Sequence, residues 1–177
     1  MSLLYAYSQV QKPLESPLSL KEAKNFLRID NDLDDELLTK TISAVTTKFE
    51  NYTGRALIAQ DWEVTYRQIN KMSISLPIKP VKAIKKIELI NYYGSVSEFE
   101  IHNIVLDTKL GEVFFKIHPF SYMVRFLYEA GYGETADAVP DDIKSSLLVH
   151  IGFLYENRDK IKAFPMDIYD EFKSYRL

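Results

Sequence analysis

The chain has 177 residues, of which 46% are hydrophobic and 27% charged, and a net charge of −3. That mix suits one domain, or one domain with an insertion, and excludes disorder over most of the length. The mildly acidic balance gives no global basic signature for nucleic-acid binding. With no Cys, disulfides, thiolate metal sites and Cys nucleophiles are excluded, which is compatible with a reducing compartment.

Residues 1–17 show no basic start followed by an apolar run, so no signal peptide is expected. No stretch approaches the ~20 apolar residues of a membrane span. The reading is a protein that is cytosolic where it is made, with no membrane partner. Tyr and Phe are plentiful, at 12 and 10; most of these rings are expected in the core, some at interfaces.

In chain order, residues 1–17 carry Pro13 and Pro17 and no helical period, as in an extended arm or a strand docking elsewhere. Ser19 as N-cap with Glu22 three residues on has capping-box spacing, and Leu20, Ala23, Phe26 and Leu27 follow at helical intervals. The acidic run 30–35 suits a turn and the start of a second helix, where carboxylates meet the positive end of the dipole. Leu38, Ile42, Val45, Phe49 and Tyr52 then form a seam that predicts packing on another helix, and Gly54 supplies the C-terminal cap. The two helices are expected as an antiparallel pair.

After Arg55 the period becomes two. Trp62, Val64 and Tyr66 alternate with polar residues, as do Met72, Ile74 and Leu76. Residues 81–90 read as a longer strand with imperfect alternation, bulged near Lys85. Residues 91–95 form a turn, Phe99 and Ile101 alternate with Glu98 and Glu100, and Val113, Phe115 and Ile117 follow Gly111. Tyr122, Val124, Phe126 and Tyr128 make a last strand. Short strands with turn signals at this spacing predict an antiparallel arrangement, not βαβ units.

Pro140 suits the first position of a third long helix with Asp141 and Asp142 in its first turn, and Ile143, Leu147, Ile151 and Leu154 continue it towards residue 157 or 158. The segment 159–177 breaks at Pro165. It carries Met166, Ile168, Tyr169, Phe172, Tyr175 and Leu177, enough apolar residues for a short helix that docks on its own body or on a neighbour. The fold class is therefore α+β. A small helical bundle, of two N-terminal helices plus a long C-terminal one, is interrupted by an antiparallel β meander or sandwich. The expected organisation is an N-terminal arm at 1–17, a helical core at 18–58 and 138–177, and a β insertion at 59–137, because the third helix must return to bury the face of the first two.

No constellation carries chemistry. Asp30, Asp32 and Asp34 imitate the start of a calcium loop, but the glycine position is Asp35 and the bidentate Glu position is Thr41. His102, His118 and His150 share no metal-ligand spacing, and the scattered glycines form no phosphate loop. Lys79, Lys82, Lys85 and Lys86 form the one basic cluster, best read as a solvated strand face or edge. No catalytic residue, cofactor or metal is assigned.

The order L-x-L-x-E-A-K-x-F-L-R-I-D from Leu18, D-D-E-L-L from Asp34 and E-N-Y-T-G-R-A-L-I-x-Q-x-W-E from Glu50 resembles the head–tail connector (adaptor) proteins of long-tailed bacteriophages and prophages. The same group is matched by S-L-P-I-K-P-V-K-A-I from Ser75, F-x-Y-E-A-G-Y-G from Phe126, V-P-D-D-I-K-x-x-L-L from Val139, Y-E-N-R from Tyr155 and the Y-R of Tyr175 and Arg176. Each motif is short; their shared order, from Leu18 onward, is the specific signal.

The resemblance implies a structural virion protein of the subgroup with a β-rich insertion between the second and third long helices. It implies a ring of about twelve copies below the portal. That ring would extend the channel for double-stranded DNA without sequence specificity and present a surface to a tail-side head-completion or tail-terminator protein. The implied location is the head–tail junction of the virion, reached from the host bacterial cytoplasm, and no enzymatic activity is implied.

A cyclic ring needs two different contact faces per subunit. The C-terminal candidates are Tyr155, Arg158, Phe164, Met166, Phe172, Tyr175, Arg176 and Leu177. Two other functions remain as alternatives. One is a β-rich hydrolytic enzyme using Glu63 or Glu129 opposite a His. The other is a DNA-binding regulator using the first helix pair, against which the acidic turn 30–35 argues.

Overall fold

A computed structural model describes residues 3–160 and 162–173. Helix α1 (Leu20–Leu27) opens on the capping box: the Ser19 hydroxyl accepts from the Glu22 amide, and the Glu22 carboxylate accepts from the Ser19 amide at 2.7 Å. It ends at Arg28, in the left-handed conformation at φ 57°. Helix α2 (Asp35–Thr53) buries Leu38, Ile42, Val45 and Phe49, the seam read from the sequence, and closes on Gly54 at φ 68°. Helix α3 (Asp141–Glu156) follows Pro140, which sits at the N-cap and not inside the first turn. Its Ile143, Leu147 and Ile151 meet Leu38, Val45 and Phe49 in one hydrophobic cluster with Leu18, Leu57 and Ile58.

The β region forms two sheets. Strands β1 (Leu3–Gln11), β2 (Gln60–Arg67), β4 (Val81–Ile90), β5 (Val96–Glu98) and β8 (Met123–Ala130) make a five-stranded sheet in the order β1-β2-β8-β4-β5. Strands β3 (Ser73–Ser75), β6 (Ile104–Asp107) and β7 (Glu112–Phe115) make a three-stranded one in the order β3-β7-β6. Every strand pair is antiparallel. The chain is α+β, as its sequence pattern predicts. Facing side chains of the two sheets share a second cluster that includes Tyr66, Ile74, Ile87, Val113, Phe115 and Phe126.

Strand β4 explains its own irregular pattern. It turns Val81, Ile84 and Ile87 inward, a spacing of three where an ideal strand would show two. Register shifts between Val81 and Ala83 and between Ile84 and Lys86 supply the extra residues. Each bulge inserts one residue and returns the next apolar side chain to the inner face. Val81, Ile84 and Ile87 thereby meet Ala130, Tyr128 and Phe126 of β8, whose own alternation is regular.

Residues 99–107 differ from the sequence pattern. Ile101–Asn103 is a 3-10 turn, and strand β6 begins only at Ile104. The alternation of Phe99 and Ile101 with glutamates is too brief to distinguish a strand from the turn that replaces it.

Candidate assembly surface

The C-terminal candidates split into three groups. Tyr155 and Arg158 knit the end of α3 to the start of α2. The Tyr155 hydroxyl donates to Asp34 at 2.5 Å, and Arg158 lies over the Tyr155 ring at 4.7 Å and 3.9 Å from Asp34. Arg158 is exposed and Tyr155 half-buried.

Phe164, Met166 and Phe172 belong to this chain's own helical core. Phe164 stacks on His150 with centroids 3.7 Å apart, Phe172 packs on Phe49 at 5.7 Å, and Met166 lies half-buried against the same cluster. The 3-10 helix Met166–Phe172 is pinned further by Tyr52, which donates to Asp170 at 2.7 Å, and by Arg55 Nε, which donates to the Phe172 carbonyl at 2.5 Å. Tyr175, Arg176 and Leu177 lie outside the described residues. Of the two docking modes open to the tail, the segment 164–172 adopts docking on its own body.

His150 is fully buried. Its Nδ1 lies 2.8 Å from the Tyr169 hydroxyl, and burial, assisted by the charge of Lys48, lowers its pKa from 6.5 to about 4. It is a core histidine that holds the tail. Among the described residues no group of three or more His, Asp or Glu could hold a metal. Two of the calcium-like aspartates have another employment: Asp34 accepts from Tyr155, and Asp32 lies 2.6 Å from Lys24 Nζ, which also reaches Asp35 at 2.7 Å and joins α1 to α2.

The lysine cluster lies largely on the outer face of the five-stranded sheet, where carboxylates of the same and other strands neutralise it. Lys85 contacts Asp61 at 2.5 Å and Glu129 at 3.3 Å, Lys82 contacts Glu129 at 3.1 Å, and Lys86 contacts Glu88 at 2.6 Å. Burial pushes Glu129 up, but its two ammonium partners together hold it below the usual carboxylate range. Glu63 pairs with Arg125 at 3.5 Å. Both carboxylates proposed for hydrolysis are thus held by cations on an ion-paired sheet face. Lys79 stands apart: burial lowers its pKa, and its stem packs against Gly111.

A cleft of about 470 Å³ separates α2 from the strand β1 and the segment that follows it. Its walls include Tyr7, Lys12, Leu14, Thr46, Glu50 and Trp62. Glu50 accepts from the Leu57 amide at 2.8 Å and from Gln60 Nε2 at 3.0 Å, and burial raises its pKa.

The largest exposed rings lie elsewhere, in loops 91–95 and 116–122 at the end of the sheet remote from the helices. Tyr92, Tyr93 and Phe120 are 78%, 90% and 87% exposed. The period-two pattern passes over them because turns are read by their Asn and Gly, here Asn91 and Gly94; the adjacent aromatic pair was the available signal. Among the described residues, no helix is long and apolar enough to cross a membrane.

Comparison with solved structures gives the fold independently. The chain is similar to one from the neck of an empty gene transfer agent (GTA) particle computed with C6 symmetry, with a TM-score of 0.79 and 19% identity over 98% of this chain and 97% of the other. It is similar to a chain of the native GTA virion, with a TM-score of 0.77 and 19% identity over the same shares. A chain from the native GTA neck computed with C12 symmetry gives a TM-score of 0.76 and 20% identity, again over 98% and 97%. No curated protein matches. The family model of the phage gp6-like head-tail connector protein matches residues 17–119, more than half of the chain. The match takes in the capped α1, the α2 seam and strands β2 to β7, so the chain belongs to the phage gp6-like head-tail connector protein family.

Proposed function

We propose that this protein is a ring subunit at the head–tail junction of a phage or prophage virion, acting by binding and not by catalysis. About twelve copies would sit below the portal. They would extend the channel through which double-stranded DNA passes without sequence readout and offer a surface to a tail-side head-completion or tail-terminator protein. The observation that carries this reading is the match to the head-tail connector family over residues 17–119. Likeness to GTA neck chains over nearly the whole length supports it, since those necks were computed with C6 and C12 symmetry.

In this reading residues 18–58 and 138–177 are the connector core, 59–137 the β insertion and 1–17 an arm. The arm contributes β1, which borders the five-stranded sheet and, among the described residues, pairs with β2 alone. Tyr155 and Arg158 are the C-terminal candidates still near the surface, whereas Phe164, Met166 and Phe172 contribute by fixing the tail. The neutralised lysine face fits DNA passage, because a surface that does not collect phosphates does not grip them. The subunit would wait in the host cytoplasm before joining a filled head.

Electron microscopy of the purified chain, alone and mixed with its portal, tests the reading. Closed rings stacked on the portal are the expected result. A chain that neither self-associates nor binds portal would overturn it.

A further inference from the structure

Three loops meet at the end of the β region farthest from the helices: 67–72, 91–95 and 116–122. Their proximity is direct. The rings of Tyr92 and Tyr122 lie 5.5 Å apart, Arg67 lies over Tyr122 at 5.2 Å, and Ser121 Oγ donates to the Ile90 carbonyl at 2.7 Å. The Gln68 amide donates to the Tyr122 carbonyl at 3.1 Å, and the Phe115 amide to the Met72 carbonyl at 2.8 Å.

Two properties coincide there. The first is exposed apolar area. Besides Tyr92, Tyr93 and Phe120, the loops expose Ile117 and Met72 at 57% and 47%. Burying such rings releases water at roughly 25 cal/mol per Å², and exposed contiguous apolar patches on soluble proteins mark interaction sites. The second is charge. The three loops contain Arg67, Lys71 and Lys116 and not one Asp or Glu, although the whole chain is net negative. Tyr, Met and Arg are also the residues enriched at the centres of protein interfaces.

We propose that this distal end is the docking site for another protein of the particle, one whose surface carries an apolar patch bordered by Asp and Glu. The inference rests on the head–tail connector reading. Charge complementarity sets the partner's border, and the rings set its centre. Nucleic acid fits less well. Tyr92 packs edge-to-face on both Tyr93 and Tyr122, at 89° and 74°, so the rings do not present the open parallel platforms on which bases stack. Three cations would also neutralise few phosphates. A second copy of this chain fits less well too, because its acidic turn is already occupied by Lys24 and Arg158.

The test uses full-length chain added to DNA-filled heads of the same particle that lack it, followed by tails. Head attachment, tail joining and self-association are scored separately. The variants are Tyr93→Ser with Phe120→Ser, and Lys71→Glu with Lys116→Glu. Both pairs should keep the wild-type melting temperature and self-association and lose roughly tenfold in head attachment or in tail joining. Higher salt should weaken the same step for the wild type. The inference is overturned if both variants attach and join like the wild type, if they fail only in self-association, or if a short DNA duplex competes for the site. A wild-type chain that does not attach to heads overturns the connector reading itself.

Discussion

His150 and Tyr169 lie on different elements, α3 and the C-terminal 3-10 helix, and bring imidazole Nδ1 within 2.8 Å of the phenolic oxygen inside the helical core. Burial of this imidazole, assisted by the charge of Lys48, makes stability depend on pH. The folded-state pKa of His150 is about 4, against an ordinary 6.5. Between those values the unfolded chain binds the proton and the folded chain does not. The contribution is complete above pH 6.5 and is lost as the pH falls towards 4. Carboxylates titrate in part of the same window, so the comparison is between two proteins: denaturant midpoints should fall less steeply for His150→Gln than for wild type. A difference of order 1–3 kcal/mol is expected across the window. Parallel profiles would show that His150 titrates normally.

The tail behaves as core. Removing residues 165–177 deletes Tyr169 and Phe172, which are 0% and 8% exposed and both pack on Phe49. Loss of two buried aromatic side chains should cost several kcal/mol, roughly 3–5 for each on the scale of Phe→Ala changes. The truncated chain should melt at much lower temperature or collect in the insoluble fraction. A truncated chain with a wild-type melting curve would contradict this packing.

The capping box of α1 offers a smaller, cleaner test. Ser19→Ala removes the acceptor for the Glu22 amide and the hydroxyl donor to its carboxylate, leaving the Ser19 backbone amide in place. The expected cost is about 1 kcal/mol, read from thermal or urea unfolding. Glu22 also reaches Lys144 of α3 at 3.6 Å, so Glu22→Ala should cost somewhat more than a lone cap.

Gly131 tests the junction between sheet and helices. It has φ +140°, and a Cβ placed there would lie 2.6 Å from the Ala59 backbone nitrogen. Gly131→Ala therefore forces backbone to move and should destabilise by more than the usual ~1 kcal/mol of a point substitution. Gly94, with φ +84° but nothing within 4 Å of its added Cβ, should pay only for its backbone conformation.

The elements most legible in the sequence were those set by local chemistry. Ser19 and Glu22 announce α1, the seam from Leu38 to Phe49 fixes the buried side of α2, and the broken alternation of β4 marks the bulge beside Lys85. Strand order was not legible. A period of two says which face a residue takes, not which strand lies beside it. Nothing in 123–130 announces that β8 will separate β2 from β4.

Family membership was legible because the motifs from E-N-Y-T-G-R to the strand region lie in one order. The place of the tail was not: Phe164, Tyr169 and Phe172 are equally apolar whether they cover a neighbour or their own core. Only the His150 and Phe49 rings against them decide it. The exposed rings at 92, 93 and 120 escaped notice because turn chemistry accounts for their loops without them.

The return of α3 to the first two helices also orders events during synthesis. The helical cluster draws on Leu18 to Ile58 and then on Val139 to Phe172, while the β cluster is contained between Ala56 and Ala130. A ribosome completes every residue of the β cluster before it has made the first residue of α3. The seam of α2 must therefore remain uncovered while the β region is being made, and the helical half can close only after Phe172 has followed α3.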